Sequence, residues 1–367
     1  MSLSMPQPPF HRNPWVTGSA RYGRVMVTGA NGFIGARLVA RLRADGYTVR
    51  RMVRKEIDAD CDVETVVADL SDTAALRRAC DGVEAIVHCA GHAHAFGEPA
   101  ALSSERHRRV NLMGTCNVVE AAVSAGVKRL IFMSSVKAMG DPGGQCADES
   151  WGAPPVTPYG TAKRDAENVV LRAGREHSVS VTNLRLAMVY GPGSRGNLER
   201  MAAAVRSGWF PPLPETGAKR SFVHVDDVVD AVLAVLPDPR AFDQTFIVAH
   251  AEPVSPARLY ELLCHAVGRR PARHRVPEAL LRSLGVVADL LSSIVRKPLP
   301  IGRDAVARLV DSECYLPAAL EKELGWVARI PIETGIRDLF ADAASSRPVP
   351  GHDPRSAAHS RAGSVNR

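Results

Sequence analysis

Two side chains four residues apart, Tyr159 and Lys163, are the pair in this sequence best suited to proton transfer. At that spacing both lie on one face of a helix. Thr157 and Pro158 fit an N-cap and a first-turn proline, which predicts that a helix begins there. A free tyrosine titrates at about pH 10, and a neighbouring ammonium lowers that pKa by favouring the phenolate. Tyr159 could then exchange a proton with a carbonyl or alcohol oxygen while hydride is transferred.

Two serines upstream add a hydrogen-bond donor to this chemistry. Ser134 and Ser135 follow the apolar run 130–133, so we expect them at the end of a strand. Ser135 could donate to the same substrate oxygen as Tyr159; the alternative is that these serines cap or pack. We therefore predict Ser135, Tyr159 and Lys163 as the catalytic residues, and we expect Lys163 also to hold the nicotinamide ribose.

A glycine-rich turn after the first apolar run predicts a dinucleotide-binding site. Gly29, Gly32 and Gly35 link a strand at 24–28 to a helix at 33–45. These glycines permit a tight turn, close approach of a pyrophosphate and close packing of the helix, respectively. The free N–H groups at the helix start would face the phosphates. The remaining residues predicted for this loop are Asn31, Phe33 and Ile34.

The end of the second predicted strand bears on which dinucleotide is bound. Dinucleotide folds often place an acid there to hold the ribose 2′-hydroxyl, but the expected position is Val53 and the next residue is Arg54. A carboxylate would repel a 2′-phosphate, whereas a guanidinium can pair with one. We therefore favour NADP(H) and leave NAD(H) open. The alternative is that Arg54 stacks on adenine or faces solvent.

Apolar runs that alternate with helical segments predict the fold. The strand-like runs are 24–28, 48–53, 84–88, 130–133, 179–186 and 245–248. The helical segments include 33–45, 73–80, 105–125, 159–177, 257–267 and 277–295. This alternation predicts an α/β, Rossmann-like, doubly wound parallel sheet covered on both faces. Prolines multiply after Tyr190, where we expect a smaller C-terminal substrate-binding cap domain.

These patterns divide the chain into four expected parts. They are a flexible leader (1–21), a Rossmann domain (22–190, with 224–250 returning to it), a cap (191–223 and 251–343) and a disordered tail (344–367). The tail is expected to be disordered because it offers almost nothing to bury.

Composition and cysteine usage bear on partners and location. The 46 basic and 39 acidic residues leave a formal charge of +7, which suits an anionic ligand such as a nucleotide. No dense basic run with interleaved aromatics indicates nucleic-acid binding. The seven cysteines are odd in number and include no CxxC pair, which favours reduced thiols in the cytoplasm, without a disulfide framework, zinc or another metal. No signal-peptide core is evident, and Arg282 and Asp289 interrupt the apolar stretch 280–295, which predicts a buried or amphipathic helix and not a membrane span.

Eight motifs occur in order between residues 22 and 340. They are 28–35 (TGANGFIG), 68–70 (ADL), 88–91 (HCAG), 111–115 (NLMGT), 134–135 (SS), 159–163 (YGTAK), 189–192 (VYGP) and 220–227 (RSFVHVDD). Together they resemble the extended short-chain dehydrogenases/reductases that act on nucleotide sugars, the NAD-dependent epimerase/dehydratase family. By this resemblance Asp69 and Leu70 would flank the adenine, and Ala90 the cofactor ribose. Asn197 and Arg220 would hold the nucleotide-sugar base and diphosphate.

The same resemblance implies further contacts and an assembly. Ser134, Lys137 and His94 would lie at the substrate, with Lys137 and His94 facing the sugar or the second phosphate. The alternative is that Lys137 and His94 are solvent-exposed loop residues. A homodimer through two helices per subunit is implied as well, although the apolar face of 105–125 could equally be core.

Departures from the family motifs narrow the implied activity. Sugar 4,6-dehydratases carry an Asp-Glu pair directly after the catalytic Ser/Thr, which supplies the acid and base for loss of water. This chain has Val136 and Lys137 there, so we reject dehydratase activity. UDP-galactose 4-epimerases carry an asparagine where this chain has Met188, and they retain NAD through the acid that is missing near Val53. Both differences weaken the epimerase reading.

Three stretches resemble the UDP-sugar 4-keto reductases of O-antigen synthesis: 134–137 (SSVK), 92–94 (HAH) and 191–197 (GPGSRGN). This resemblance implies reduction at C4 of a UDP-linked 4-keto-6-deoxy-hexosamine, with Tyr159 as proton donor. A UDP-sugar 4-epimerase that oxidises C4 transiently is the alternative. The remaining alternative is a non-catalytic NADP-sensing protein. The presence of both Tyr159 and Lys163 disfavours this alternative.

Overall fold

The computed structural model describes residues 22–55, 63–93, 100–194, 196–295 and 302–345. The predicted leader 1–21, residues 346–367 of the predicted tail and His94 lie outside the described residues. The last helix ends at Ser345, so it extends into the first residues of the predicted tail.

A parallel sheet forms the centre of the fold. The strands are β1 (Arg24–Thr28), β2 (Thr48–Val53), β3 (Glu64–Val67), β4 (Ala85–His88), β5 (Arg129–Ser135), β6 (Cys146–Ala147), β7 (Ser180–Leu186), β8 (Met188–Tyr190), β9 (Phe222–His224), β10 (Gln244–Val248) and β11 (Cys314–Tyr315). Seven of them form one sheet in the order β10-β7-β5-β4-β1-β2-β3, with every neighbouring pair parallel. The order runs outward from β1 in both directions, as in doubly wound dinucleotide-binding folds, so the predicted fold class is confirmed.

Helices cover both faces of this sheet. In chain order, the α-helices of the described residues are α1 (Phe33–Ala44), α2 (Thr73–Cys80), α3 (Ala100–His107), α4 (Gly114–Ser124), α5 (Pro158–Glu176), α6 (Asn197–Ser207), α7 (Val225–Val235), α8 (Pro256–Ala266), α9 (Glu278–Val295), α10 (Arg303–Val310), α11 (Ala318–Leu324) and α12 (Ile332–Ser345). On one face α1 packs against α7, and on the other α4 packs against α2 and α5. Val25 and Val27 point into the first core and Met26 into the second, because successive strand residues face opposite sides.

Two elements differ from the sequence-based expectation. The short strand β3 pairs only with β2, at the edge of the sheet, and none of its four residues is buried, so no apolar run marks it in the sequence. The segment 105–125, predicted as one helix, contains the end of α3, a π-helical turn over Arg108–Met113 and α4. Both differences lie close to the predicted cofactor site.

A separate apolar cluster lies in the region predicted to be the cap. Leu198 of α6, Leu263 of α8, Val306 of α10 and Ile336 of α12 belong to this cluster. The structure departs from the predicted cap range 251–343 near its far end. There Tyr315, Leu320 and Trp326 pack into the α1–α7 core of the main sheet, and α11 contacts β10.

A disulfide between two short strands overturns one expectation. Cys146 of β6 is bonded to Cys314 of β11, and Ala147 pairs with Tyr315 beside them. The prediction of reduced thiols is therefore wrong for this pair. The two cysteines stand 168 residues apart in the sequence, so spacing rules for neighbouring cysteines do not detect a pair that only the fold brings together. The cytoplasmic location, which rested partly on that pattern, stays a prediction.

Reduction of the Cys146–Cys314 disulfide should destabilise the protein. The bridge joins cysteines that are 168 residues apart. For a loop of this size, the chain-entropy model predicts that reduction lowers the free energy of unfolding by about 5 kcal/mol. We expect a reductant to lower the melting temperature and to release two additional thiols to a thiol reagent under denaturing conditions. Cys146→Ser should lose this response, whereas Cys264→Ser, at a buried free cysteine, should keep it. An unchanged thiol count after reduction would contradict the bridge.

Candidate active site

Ser135 and Tyr159 meet at the carboxyl edge of the sheet. Ser135 ends β5, and its hydroxyl accepts the Lys137 N–H at 3.3 Å, which caps the 3₁₀ turn that follows. Thr157 caps α5, and Tyr159 is the second residue of that helix. The first turn of α5 rests on the turn after Ser135, because a Cβ on Gly160 would lie 2.3 Å from the Lys137 carbonyl oxygen. The glycine after Tyr159 thus helps to position the phenol.

The surroundings of Tyr159 keep its phenol protonated. Burial raises the pKa of Tyr159, and the hydrogen bond with the Ser135 side chain only partly offsets this effect. The His107 ring meets the Tyr159 ring edge-on, with centroids 5.3 Å apart. The expectation that Lys163 lowers the pKa of Tyr159 is not met in this structure, because desolvation of the phenol dominates and the Lys163 ammonium is bonded elsewhere.

Lys163 is buried beside the end of β5. Its ammonium donates to the Met133 carbonyl at 2.8 Å and lies 4.6 Å from the centroid of the Phe132 ring. Burial lowers the pKa of Lys163 to about 8, with Glu167 and Cys89 acting in the opposite direction. The amine is therefore mostly charged at neutral pH, and its contacts hold it on the face of α5 that carries Tyr159.

The glycine-rich turn forms a cradle that side chains would fill. Gly29 has a φ of 63°, and a Cβ there would lie 2.9 Å from the Cα of Ala90. A Cβ on Gly35 would lie 2.2 Å from the Gly29 carbonyl oxygen. Helix α1 begins at Phe33 after Gly32, which provides no side-chain cap, so its first N–H groups are available to an anion. This backbone fits a dinucleotide pyrophosphate. The other loop residues are the exposed Asn31 and the half-buried Ile34.

The residues predicted to bind the adenosine part of the cofactor also lie at the carboxyl edge of the sheet. The Asp69 carboxylate accepts the N–H and hydroxyl of Ser71 at 2.9 and 2.6 Å. These two hydrogen bonds lower the pKa of Asp69, and the nearby Arg54 guanidinium lowers it further. Arg54 is exposed directly after β2, Leu70 packs against the start of α4, and Ala90 follows β4. The fold therefore gathers these four predicted positions at the ends of neighbouring strands.

Two residues predicted for the substrate share one acidic partner. The Lys137 Nζ lies 2.6 Å from Oε1 of Glu313, and the Arg220 Nη2 lies 3.2 Å from Oε2. Arg220 is buried and also donates to the carbonyl oxygens of Arg308 and Asp311. The structure joins Lys137 and Arg220 into one cluster through Glu313, an acid that the sequence analysis did not single out.

The other two substrate residues lie apart from this cluster. The Ser134 hydroxyl donates to Glu167 at 2.5 Å, and Glu167 accepts three hydrogen bonds from Arg185 at 2.7, 3.0 and 3.2 Å. Ser134 is thus part of the packing between β5, α5 and β7, and the structure does not bring its hydroxyl to Tyr159. Asn197 is the first residue of α6 in the cap.

A buried asparagine that the sequence analysis did not assign to the site holds the loop after β4. Asn111 accepts the His92 N–H at 2.7 Å and donates to the His92 carbonyl at 2.9 Å. It also donates to His107 at 3.2 Å, which links it to the ring that contacts Tyr159. Asn111 lies in the π-helical turn, an irregularity frequent at functional sites. Its motif was visible in the sequence, but its contacts required the fold.

Comparisons with known proteins agree with this geometry. The model of the "NAD dependent epimerase/dehydratase family" matches residues 25–249. A UDP-glucose 4-epimerase from Vibrio cholerae is 31% identical over 260 residues, which cover 69% of this chain and 78% of that protein. A 2-alkyl-3-oxoalkanoate reductase from Stenotrophomonas maltophilia is 26% identical over 337 residues, which cover 88% of this chain and 100% of that protein.

A solved structure extends the likeness to three dimensions. MoeE5 in complex with UDP-glucuronic acid and NAD has a TM-score of 0.70 at 25% identity, covering 89% of this chain and 100% of that one. Residues 25–249, which match the family model, contain the glycine cradle together with Ser135, Tyr159 and Lys163. The chain therefore belongs to the NAD-dependent epimerase/dehydratase family of extended short-chain dehydrogenases/reductases, and it is an enzyme of that oxidoreductase type.

Proposed function

We propose that this enzyme reduces the 4-keto group of a UDP-linked 4-keto-6-deoxy-hexosamine with NADPH. The observation that carries the proposal is the position of Tyr159 in the first turn of α5 beside Ser135 at the end of β5, where burial raises the pKa of the phenol and so favours the proton-donor form. Reduction of a carbonyl requires a proton donor, whereas oxidation of an alcohol requires a base. The relatives named as a UDP-glucose 4-epimerase and a 2-alkyl-3-oxoalkanoate reductase support a nucleotide-sugar substrate and reduction of a ketone, respectively.

Bound NADPH supplies the hydride. Tyr159 gives its phenolic proton to the carbonyl oxygen as the alcohol forms, and the Ser135 hydroxyl donates a hydrogen bond to the same oxygen. Lys163 holds the nicotinamide ribose. Tyr159 then regains a proton from water.

We place the UDP diphosphate in the cavity between the sheet edge and the cap. Lys137, Thr157, Arg308 and Glu313 are among the residues that line it. Lys137 and Thr157 each stand two residues along the chain from a catalytic residue. Together with Arg220, Lys137 and Arg308 bring three cationic groups to this region against the carboxylate of Glu313, which suits a diphosphate. Asn197 would contact the base from the cap.

Replacing Arg54 should change the cofactor preference. In the proposed enzyme this exposed guanidinium pairs with the 2′-phosphate, so Arg54→Glu should lower kcat/KM with NADPH by about tenfold or more while sparing NADH. The measurement is the NADPH-to-NADH ratio of kcat/KM for wild type and variant. Arg78→Glu makes the same charge change at an exposed position of α2 and should leave the ratio unaltered. Equal ratios in all three proteins would contradict the proposed pairing of Arg54 with the 2′-phosphate of NADPH.

The proposed reaction is tested with a UDP-4-keto-6-deoxy-N-acetylhexosamine and NADPH. We expect loss of NADPH absorbance in step with formation of the 4-hydroxy sugar. The parallel arms are NADH with the same substrate, and UDP-glucose without added cofactor. No oxidation of either cofactor would overturn the reductase proposal.

The second candidate is a UDP-sugar 4-epimerase, which the Vibrio cholerae relative favours. In that reaction Tyr159 would first act as a base and later return the proton, and no cofactor would be consumed. Equilibration of UDP-glucose with UDP-galactose, without loss of NADPH, would establish this alternative. Tight binding of NADPH without turnover of either substrate would instead indicate a cofactor-sensing protein.

The homodimer is also a proposal. Leu102 of α3 is 63% exposed and Met113 of the π-helical turn is 44% exposed, beside α5 in the region implied by the family resemblance. A two-helix face with exposed apolar side chains is suited to pairing with its symmetry mate. Light scattering of wild type and of Met113→Glu would test this face, with a monomeric variant as the expected result.

A further inference from the structure

Helix α9 carries an unusual share of the exposed apolar surface. Of the twelve large apolar side chains that are exposed in the described part of the chain, six belong to this one helix. They are Leu280, Leu284, Val286, Val287, Leu290 and Leu291, each between 45% and 61% exposed. The helix is too polar to cross a bilayer, since no described helix combines the necessary length and apolar character.

The exposed apolar side chains share one side of the helix, and the exposed Ser283 lies among them. With about 100° between successive helical residues, Leu280, Leu284, Val287 and Leu291 fall within an arc of about 60°, and the other two widen it to about 160°. Leu281 and Gly285 lie on the opposite side of the helix, where they are buried and α9 packs against α10. Helix α9 is therefore apolar on two sides, and α10 covers one of them.

Charged side chains on α9 stay clear of the exposed apolar face. Arg282 and Asp289 project from the side of the helix away from Leu284 and Leu291. Arg282 pairs with Glu278 and Asp311, and Asp289 pairs with Arg303. These contacts bind the polar side of α9 to its neighbours and leave the apolar face uninterrupted by charge.

Basic residues precede the helix. Arg269, Arg270 and Arg273 are exposed, as is Arg275, which pairs with Glu215 and Glu261. Residues 269–295 contain five arginines and two acids, a formal charge of +3. An apolar face next to a basic segment is typical of helices that lie in the plane of a membrane surface.

We infer that α9 and the basic segment before it dock this enzyme on an anionic phospholipid bilayer. The apolar face would enter the boundary between headgroups and acyl chains, while the exposed arginines would contact lipid phosphates. Charge complementarity selects lipid over a second copy of the chain, because a symmetric contact would bring together two segments of formal charge +3. This interaction surface is independent of the proposed sugar chemistry.

The test is co-sedimentation of the full-length protein with vesicles. We expect binding to phosphatidylcholine vesicles that contain phosphatidylglycerol, much weaker binding to phosphatidylcholine alone, and release as salt concentration rises. Leu284→Glu/Leu291→Glu should reduce the partition coefficient by about tenfold or more, because two side chains that would enter the bilayer become charged. The matched control Leu284→Met/Leu291→Met keeps the face apolar and should bind as wild type does. Both variants should retain the wild-type melting temperature, because the changed side chains are exposed.

Three outcomes would overturn the inference. The first is the absence of binding to anionic vesicles. The second is binding that the glutamate variant leaves unchanged, which would place the contact elsewhere. The third is a wild-type dimer in light scattering that Leu284→Glu/Leu291→Glu converts to a monomer, which would assign the face to a second copy.

Discussion

Tyr159→Phe should reduce turnover by about 10²- to 10⁴-fold, the usual contribution of a positioned general acid. The substitution removes only the phenolic O–H and leaves the ring that packs edge-on against His107. The glycine cradle and Lys163 remain, so NADPH binding should stay within a few-fold of wild type. The loss should therefore appear in kcat and not in the affinity for the cofactor.

Single-turnover oxidation of NADPH with the 4-keto sugar is the direct measurement for this variant. The matched control is Tyr260→Phe, the same chemical change on α8 in the cap, where the hydroxyl meets the backbone of Ala272. That variant should turn over as wild type does. Near-normal turnover in Tyr159→Phe would remove Tyr159 as the proton donor, whichever sugar proves to be the substrate.

Glu167→Gln should lower the free energy of unfolding by about 3 kcal/mol or more, because it leaves the buried Arg185 charge without its partner. Glu167 and Arg185 are 1% and 8% exposed. The carboxylate also accepts the Ser134 hydroxyl and raises the pKa of Lys163. Loss of the Glu167 carboxylate should therefore weaken the packing between β5 and α5. It should also favour the uncharged form of Lys163.

Chemical denaturation of wild type and variants measures this effect. The matched control is Glu120→Gln, whose ion pair with Arg77 is more than half exposed on both side chains. It should change stability by less than about 1 kcal/mol. The double variant Glu167→Leu/Arg185→Leu should be destabilised by much less than the sum of its single changes, since it buries no unpaired charge. Additive losses would show that the pair is not coupled.

Features that depend on neighbours along the chain were predictable from the sequence. The turn from β1 into α1 was visible because Gly29, Gly32 and Gly35 are needed within one short stretch, whatever surrounds it. The start of α5 was visible for a similar reason: Thr157 and Pro158 specify a helix start, and the spacing of Tyr159 to Lys163 places both on one face. The apolar runs of the central strands likewise predicted a doubly wound sheet.

Features at the edges of elements were harder to predict. Strand β3 has one neighbouring strand and no buried residue, so its sequence lacks the apolar run that marks a central strand. The π-helical turn changes the helix by a single extra residue per turn, which leaves no clear signature in hydrophobic periodicity. Asn111 therefore stood in a recognisable motif without a recognisable role.

By itself the sequence determined the fold class, the glycine cradle and the placement of Tyr159 and Lys163 on one helix, because each follows from backbone geometry over a few consecutive residues. Only the tertiary structure decided which distant side chains meet. It bonded Cys146 to Cys314, turned Ser134 toward Glu167 and brought Glu313 to Lys137 and Arg220. Such contacts depend on how elements far apart in the sequence pack together. That packing is the sum of many weak van der Waals contacts, which the spacing of neighbouring residues does not encode.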